Sequence, residues 1–595
     1  MGNKFGRNGI YISRIQRRMF LLAFATAFAA AFTQTLAVLI DNVIVCTFYG
    51  ETEVAAVSLA GPFFYLLEIP AAGLAAGIQT VCAKELGAGR IDRVNRLFCQ
   101  IFSLSSIVLV FLTALSFLNI SGMAVLFGAR GATAALKPCT EQYLLGLSFE
   151  IIPYVLFCIL SPVVILDNGS RLVSAASACG CITDIVLDLF SVRFGWGLLG
   201  IGLASSASAL VYFGITMLHF LDPDRVIRLR FVRIRPRELK DIIVFSAPRA
   251  FLALADSLCS LLFISLVSFT GGVTGAFALS IHTTLTYTVM ILTRGIAGAV
   301  DVMAGICFGE KNGDGLEGIG ILAHRYILIL SAFVMAVIAA AARPLSAALS
   351  ETDASAGLLV FAFFCVMISI PLSNLVHSRI SYLQAVGCVR EAQQMGTAVS
   401  LVFPAAAACL LAFLAGIRGV FLAFPTAQIL TLLASWLLHW KRTKKILPAR
   451  PDYMEIDKSF YPLPGDVIDY PIRTKEDCVL AGEQVSLFCR GHKLEGRKGF
   501  LAGLCVEELT VNVIEHGLIP SGAVGTTDLR VVIDGSDVII RMRDGGVPFN
   551  LKRFADRLSG EEDPGEGTGI RILLKSAESI QYYRTYGMNT TIMKV

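Results

Sequence analysis

"GLAAGIQTVCAKELGAGRIDRVNRL" (73–97) and "GIAGAVDVMAGICFGEKNGDGLEGI" (295–319) share one register. Gly73 aligns with Gly295, Gly87 with Gly309 and Asp92 with Asp314. A second pair, "ILDNGSRLV" (165–173) and "YLQAVGCVR" (382–390), keeps almost the same spacing. In each copy a glycine-rich apolar run ends in polar residues, so matched punctuation follows matched runs. Each copy holds about six apolar runs. An even number gives both copies the same orientation, which predicts two parallel six-helix bundles around an axis along the membrane normal. Two such halves with a central cleft suit alternating access better than a selective pore.

Composition supports the membrane reading. Of 595 residues, 55% are hydrophobic and 16% charged, and mean hydropathy is +0.70; a soluble chain carries roughly a quarter charged residues. About twelve runs near bilayer-crossing length recur from Met19 to Trp440, the seventh and eighth at 239–269 and 273–308. Lys4, Arg7, Arg14, Arg17 and Arg18 precede the first. That run is too long for a signal-peptide core, which predicts a retained span with its basic lead in the cytoplasm. An even span count returns the chain to the same side, where the basic loop 222–240 and the basic segment 441–450 then belong. The net charge of +5 is therefore a loop asymmetry and no sign of nucleic acid. The 15 cysteines are scattered, none in a CxxC pair, which favours buried free thiols.

Ionisable groups at membrane depth are costly and mark candidate sites. Asp41 lies within or at the end of the first span. Asp184 and Asp188, four residues apart, share one face of the fifth. Two carboxylates this close in a low-dielectric setting favour a raised pKa or a cation between them. Glu68 and His282 also fall in or near spans.

The stretches "LIDNVIVCTFYGETEVAAVSLAGP" (39–62), "GLAAGIQTVCAKELGAGR" (73–90), "DNGSR" (167–171) and "ITDIVLDLFSVRFGWGLLGIGLASSAS" (182–208) resemble the MATE family of multidrug and toxin extrusion antiporters. The resemblance covers nearly all of residues 15–440. It implies a cation site in the first lobe at Asp41, Asp184, Asp188 and Ser205, with a proton or sodium as coupling ion. Asp184 stands where many members have Asn, and Ser205 where many have Thr. The resemblance also makes Asp256 on the seventh span the candidate acid of the second lobe; some members place that acid on the tenth span instead, where this sequence has Ser373 and Asn374. The lobes are expected at 1–225 and 226–445, in a cell membrane of the bacterial inner-membrane kind.

Beyond Pro448 the text reads as a soluble α/β sandwich, 446–595, with no span. "DLRVVIDGSDVIIRMRDGG" (528–546) alternates like two half-buried strands with an Asp-Gly turn, and 580–595 reads as a second hairpin. In "VEELTVNVIEHG" (506–517), Glu508, Asn512 and His516 fall at i, i+4 and i+8, on one helix face. "RDGGVPF" (543–549) and Gly565, Gly567, Thr568 and Gly569 follow, the last group opening a helix suited to an anion.

In this order the motifs resemble the GHKL ATP-binding fold, and most closely the anti-sigma-factor serine kinases. The resemblance implies ATP and magnesium. Asn512 would ligate the metal, Asp544 would read adenine beside Gly546, and His516 would belong to the same helix motif. The glycines with Thr568 would form the phosphate lid, and Glu508 would be the general base of any phosphoryl transfer.

The expected function is a cation-coupled exporter of small organic, cationic compounds with an ATP-binding regulatory domain and a cytoplasmic protein partner. Two alternatives stand beside it. One is a membrane-tethered signalling protein whose tail phosphorylates or sequesters a partner; the other is a lipid-linked sugar flippase. No GxxxxGK[ST] loop is present, which argues against an ATP-driven pump.

Overall fold

The computed structural model describes residues 14–49, 60–127, 136–349, 353–444, 465–492, 496–521, 527–550 and 568–595, apart from a few isolated positions. The first half of the bundle contains α1 (Arg14–Phe48), α2 (Gly61–Gly87), α3 (Ile91–Leu118), α4 (Ile120–Leu126), α5 (Lys137–Leu147), α6 (Ile151–Leu166), α7 (Ser170–Phe194) and α8 (Gly197–Met217). The second contains α9 (Pro236–Gly309), α10 (Gly313–Leu349), α11 (Asp353–Ala385), α12 (Val389–Thr397) and α13 (Phe403–Thr443). Large apolar side chains such as Leu118, Phe269 and Phe413 stand more than four-fifths exposed on the outside, as lipid contact demands.

Among the described residues, ten stretches are long and apolar enough to cross a membrane. An eleventh forms if α5 and α6, bent by 44° across a short break, count as one. The sequence leads to about twelve, and the difference lies at 389–441. That stretch counts once although it has 53 residues, about 80 Å of helix against a hydrocarbon core of about 30 Å. It breaks at Gly416, whose φ of 57° and ψ of −139° suit a residue without Cβ. The break leaves two pieces, each long enough for one crossing.

The seventh and eighth expected spans are joined in α9, which carries both apolar stretches, Glu238–Gly271 and Ile281–Gly309. Its two ends both touch α2: Gly77 lies against Ile242 and Ser246, and Gly87 against Ile306. A straight helix over that length would hold those ends about 90 Å apart, so α9 doubles back.

The sequence repeat is a repeat of backbone geometry. After α2, Gly89 N donates to Leu86 O and Arg90 N to Glu85 O; after α9, Lys311 N donates to Phe308 O and Asn312 N to Cys307 O. Gly89 and Lys311 both have positive φ, 72° and 53°. After α6 and α11 the same turn recurs, with Asn168 and Gly387 at φ 62° and 86° and with matching bonds from Gly169 to Val164 and from Cys388 to Leu383. These are Schellman-type helix ends.

The aligned glycines meet across the two lobes. A Cβ on Gly87 would lie 2.2 Å from Ile306 O, and one on Gly309 would lie 2.1 Å from Lys84 O. Each glycine thus packs on the residue three before its counterpart. Gly305 against Ala83, Gly295 against Phe24 and Gly298 against Ala27 extend this contact, and Thr80 Oγ1 donates to Asp301 Oδ1 across it at 3.0 Å. The lobes are closed at this end.

The tail seats on the same end. Its five strands are β1 (Val467–Tyr470), β2 (Thr527–Asp534), β3 (Asp537–Asp544), β4 (Ser579–Thr585) and β5 (Met588–Lys594). They form one antiparallel sheet in the order β1-β2-β3-β5-β4. Both expected hairpins are present. Gly535 and Ser536 make the first turn; Tyr586 and Gly587, both at positive φ, make the second, as a hairpin of this hand requires. One sheet face packs Leu529, Val531, Ile540 and Met542 against α14 (Lys475–Gly491) and α15 (Gly496–Asn512). α16 (Thr568–Ser576) completes that layer through Leu573.

The other face is covered by the bundle. Arg541 and Arg543 both pair with Glu310, and all three side chains are buried. Arg530 Nη1 donates to Asn312 Oδ1 at 2.8 Å. Thr585 Oγ1 donates to Leu166 O, and Gly587 N to Asn168 Oδ1 at 2.7 Å. Tyr583, Tyr586 and Met588 join the bundle's own apolar cluster.

Because both close contacts leave no room for a side chain, Gly87→Val and Gly309→Val should each destabilise the protein by about 1–3 kcal/mol, the usual range for overpacking. Thermal unfolding in detergent reads this as a lower Tm in both variants. Wild-type Tm in either one would refute the backbone contact.

Candidate functional site

The first lobe gathers most of the acids that the sequence singles out. α7 carries Asp184 and Asp188 one turn apart, and both are buried. Their helix packs against α1, which brings the half-buried Asp41 to Asp188 so that the two carboxyl groups adjoin. Ser205 and Ser208 on α8 lie beside Asp184; their hydroxyls donate to the helix carbonyls of Ile201 and Ser205. Among the described residues, neither oxygen of Asp188 accepts a hydrogen bond, nor do Oδ1 of Asp41 and Oδ1 of Asp184.

Two further groups belong to this site and were not singled out from the sequence. Glu150, just before α6, is buried with Oε2 unpartnered. Tyr143 on α5 is buried within electrostatic reach of Asp41, Glu150, Asp184 and Asp188. Glu150 sits in "LSFEIIPY", an acid in an apolar run, which is the same signal that marked Asp41. No group of three or more His, Cys, Asp or Glu among the described residues is arranged to hold a metal ion.

Asp256 does not join this cluster. It lies in the second lobe beside Ser400, within reach of Arg249 and Arg294. Asn374 accepts from Thr293 at 2.6 Å and donates to Ser331 at 3.0 Å, and Ser373 pairs with His377. Glu68 accepts from Tyr154 OH at 2.8 Å. His282 is buried against Phe421 and Phe424, and among the described residues neither ring nitrogen has a hydrogen-bond partner.

In the tail, Glu508 and Asn512 lie on the last turns of α15, and Asn512 Nδ2 donates to Glu508 O at 2.6 Å. The regular helix ends there. Val513–Leu518 forms a wider π turn, so the i+8 spacing that would put His516 on the same face does not hold; His516 is exposed. A π segment of this kind often marks a functional site.

It brings Gly517 against the loop after β3. Val547 N donates to Gly517 O at 3.0 Å, and a Cβ on Gly546 would strike Gly517 at 2.5 Å. Asp544 ends β3, buried, with Oδ1 accepting from Gly546 N and from Asn589 Nδ2, both at 2.8 Å. Asn589, which the sequence did not mark, also donates to Gly546 O and Val547 O and so holds the loop. Burial pushes the Asp544 carboxyl up to about 6, against these two hydrogen bonds; burial also raises Glu508, with Glu507 and Glu515 adding to it. Gly565 and Gly567 lie outside the described residues, and Thr568 and Gly569 begin α16.

The MatE family model matches residues 26–190. The fold is similar to that of an outward-facing multidrug resistance MATE family transporter of the MOP superfamily. The TM-score is 0.68 at 20% identity, with 77% of this chain and 100% of that chain covered. A mutant of the Vibrio cholerae MATE transporter VcmN gives 0.66 at 16% identity, covering 72% and 97%. A MOP superfamily transporter from Pyrococcus furiosus gives 0.66 at 21%, covering 72% and 96%. No curated protein matches the sequence significantly. The bundle therefore has the MATE transporter fold, and the tail lies beyond the matched family region.

Asp544 yields a signed pH effect. Its folded value lies above the ordinary one near 3.9, so its contribution to stability is full below about pH 4 and is lost as pH rises through about 6. Replacing it by Asp544→Asn removes a penalty of up to about 3 kcal/mol at neutral pH. Tail unfolding followed at pH 5 and pH 7.5 should show the variant gaining on wild type at the higher pH; a gap independent of pH would overturn the burial argument.

Proposed function

We propose that the chain is a cation-coupled antiporter that exports small organic compounds, with a tail that binds Mg-ATP and regulates it. The observation that carries the transport reading is the contact of Asp41 with Asp188 in a buried site where, among the described residues, no group beyond that pair donates a hydrogen bond to Asp188. Two carboxylates in that setting do not stay ionised together. Either they share a proton or a cation lies between them, and occupancy then depends on which side of the membrane the site faces. The coupling ion is then a proton or a sodium ion, and gradients of each imposed separately tell them apart. Organic cations are the first substrates to test, although Arg249 and Arg294 in the second lobe give its polar centre both signs of charge.

The tail reading is supported by the way α15, its π turn and the end of β3 bring Asn512, Gly517, Asp544 and Gly546 into one region. Asp544 would accept the exocyclic amine of adenine, and Asn512 would ligate the magnesium that bridges phosphates. ATP is cytoplasmic, so on this reading the tail lies inside, in keeping with the basic loop 222–240. The kinase alternative rests on Glu508, half-buried one turn before Asn512 and available as a base.

In proteoliposomes with imposed ion gradients, Asp41→Asn and Asp188→Asn should each abolish gradient-driven efflux of an organic cation while inserting normally. Wild-type rates in both would sink the coupling role. Separately, millimolar Mg-ATP should raise the Tm of the full-length protein's tail. Ligand at a hundred times its Kd stabilises by about 2.7 kcal/mol, and Asn512→Ala should erase most of the shift. No shift in wild type refutes nucleotide binding without touching the transport result.

A further inference from the structure

We propose that the C-terminal sheet is a latch: it fastens the two lobes together at the end where they are closed, with Arg541 and Arg543 on Glu310 as its catch. The inference rests on the alternating-access reading above and does not require nucleotide binding.

The argument begins with where the sheet is attached. Glu310 directly follows Gly309, whose backbone packs on Lys84 of the first lobe. The catch is thus one residue from a backbone contact between the lobes. On the first lobe, Gly587 and Thr585 bind Asn168 and Leu166. Gly89, two residues beyond Gly87, lies against Ile592. One continuous sheet therefore holds the helix-end turns of both lobes. β2 and β3 carry the second-lobe bonds, Arg530 on Asn312 and Arg541 and Arg543 on Glu310, and the β4–β5 hairpin carries the first-lobe bonds. β5 pairs with both β3 and β4, so the two attachments cannot drift apart while the sheet is intact.

Alternating access requires the lobes to part at this end. Parting them must break one attachment. The side of the second lobe is the costly one, because Glu310 and both arginines are almost fully withdrawn from water, and a buried charge left unpaired is strongly unfavourable. The hairpin side is held by neutral hydrogen bonds, among them one from Ile91 N to Gln581 Oε1 at 3.4 Å, and by apolar packing. The sheet therefore stays with the second lobe through Glu310 and holds the first lobe through the hairpin.

β3 also carries Asp544, next to Arg543 and pointing to the opposite face of the sheet by strand alternation. Asn589, which holds Asp544, is likewise next to Thr590, which accepts from Arg543 Nε at 3.2 Å. An occupant of the Asp544 site thus acts one residue away from the catch, on two neighbouring strands.

The test uses thiol reactivity in the full-length protein in lipid nanodiscs, with sites assigned by peptide mass spectrometry. Cys307 is buried beside the catch and reports whether the sheet has left. Ala83, buried against Gly305 of the other lobe, is replaced in an Ala83→Cys background to report whether the lobes part. A hydrophilic maleimide should label both thiols slowly in the parent and at least about tenfold faster with Glu310→Gln, while buried Cys365 in the second lobe stays protected. Thr585→Val with Asn168→Ala, acting from the first lobe, should speed labelling at Ala83→Cys as well, so the result does not hang on one variant's folding. If Cys307 labels faster while the thiol at position 83 keeps the parent rate, the sheet leaves without freeing the lobes and there is no latch. If neither thiol responds to either variant, the catch is not a fastening and the proposal fails. Transport is not the readout, so loss of efflux in every variant would count against the antiporter reading alone.

Discussion

The molecule turns on a backbone-to-backbone contact between α2 and α9. Gly87 against Ile306 and Gly309 against Lys84 are one contact made twice, once from each lobe. Glycine permits it because no Cβ intervenes, and the gain is dispersion between two helices that approach as closely as helices can. In lipid there is little hydrophobic drive to bring helices together, so close approach is one of the few available means. It also fixes which end is shut. The interlobe contacts from Gly73, Gly77, Gly295, Gly298 and Gly305 continue the same seam along α2 and α9, while the acid cluster of Asp41, Asp184 and Asp188 lies within the first lobe.

The turns that end these helices have a second use. A Schellman-type end projects a short polar loop beyond the helix, and here the loops after α2, α6 and α9 lie at the same end of the bundle. The sheet meets all three. Its outer face would be a poor face for water in an isolated domain, since Tyr583 and Met588 stand among its arginines. Against the bundle the same residues complete an apolar cluster, and the arginines find Glu310 and Asn312. The mixture of apolar and cationic groups on one face makes sense only as an interface.

The repeat was legible because it is written in residue types that geometry demands: Gly87 and Gly309 for close approach, and Gly89, Asn168 and Gly387 for positive φ. Lys311 takes the same left-handed position without being glycine, and so left no mark. Both tail hairpins were legible from period-two alternation and their turns. β1 was not, because four residues at a sheet edge carry too little pattern. The doubling back of α9 was legible as two apolar runs, 239–269 and 273–308, separated by only a few residues. The site in the first lobe was read from acids in apolar text, which found Asp41, Asp184 and Asp188 but passed over Glu150, whose neighbours are equally apolar. Asn589 left no signal at all: an Asn in a strand near the C-terminus announces nothing until β5 is seen to pair with β3.

The docking of the tail was the least legible feature, for a physical reason. Alternation in β2 and β3 shows that one face of each strand is not part of the domain's own core, and it does not say whether that face meets water or protein. Arg530, Arg541 and Arg543 look like solvated charges in the sequence, and burial reverses their meaning. An exposed arginine contributes little to stability. A buried one must be matched, and the match ties it to a single partner. Glu310 is that partner for two of the three, so the soluble domain has a defined seat on the bundle. A strand that holds a buried ion pair on one face and Asp544 on the other can transmit a change between them only by moving as a unit, because β2 and β5 pair with it on both sides over nearly its whole length. Whatever acts at Asp544 therefore acts on the seat of the whole sheet, and through the loops it grips, on the seam between the lobes.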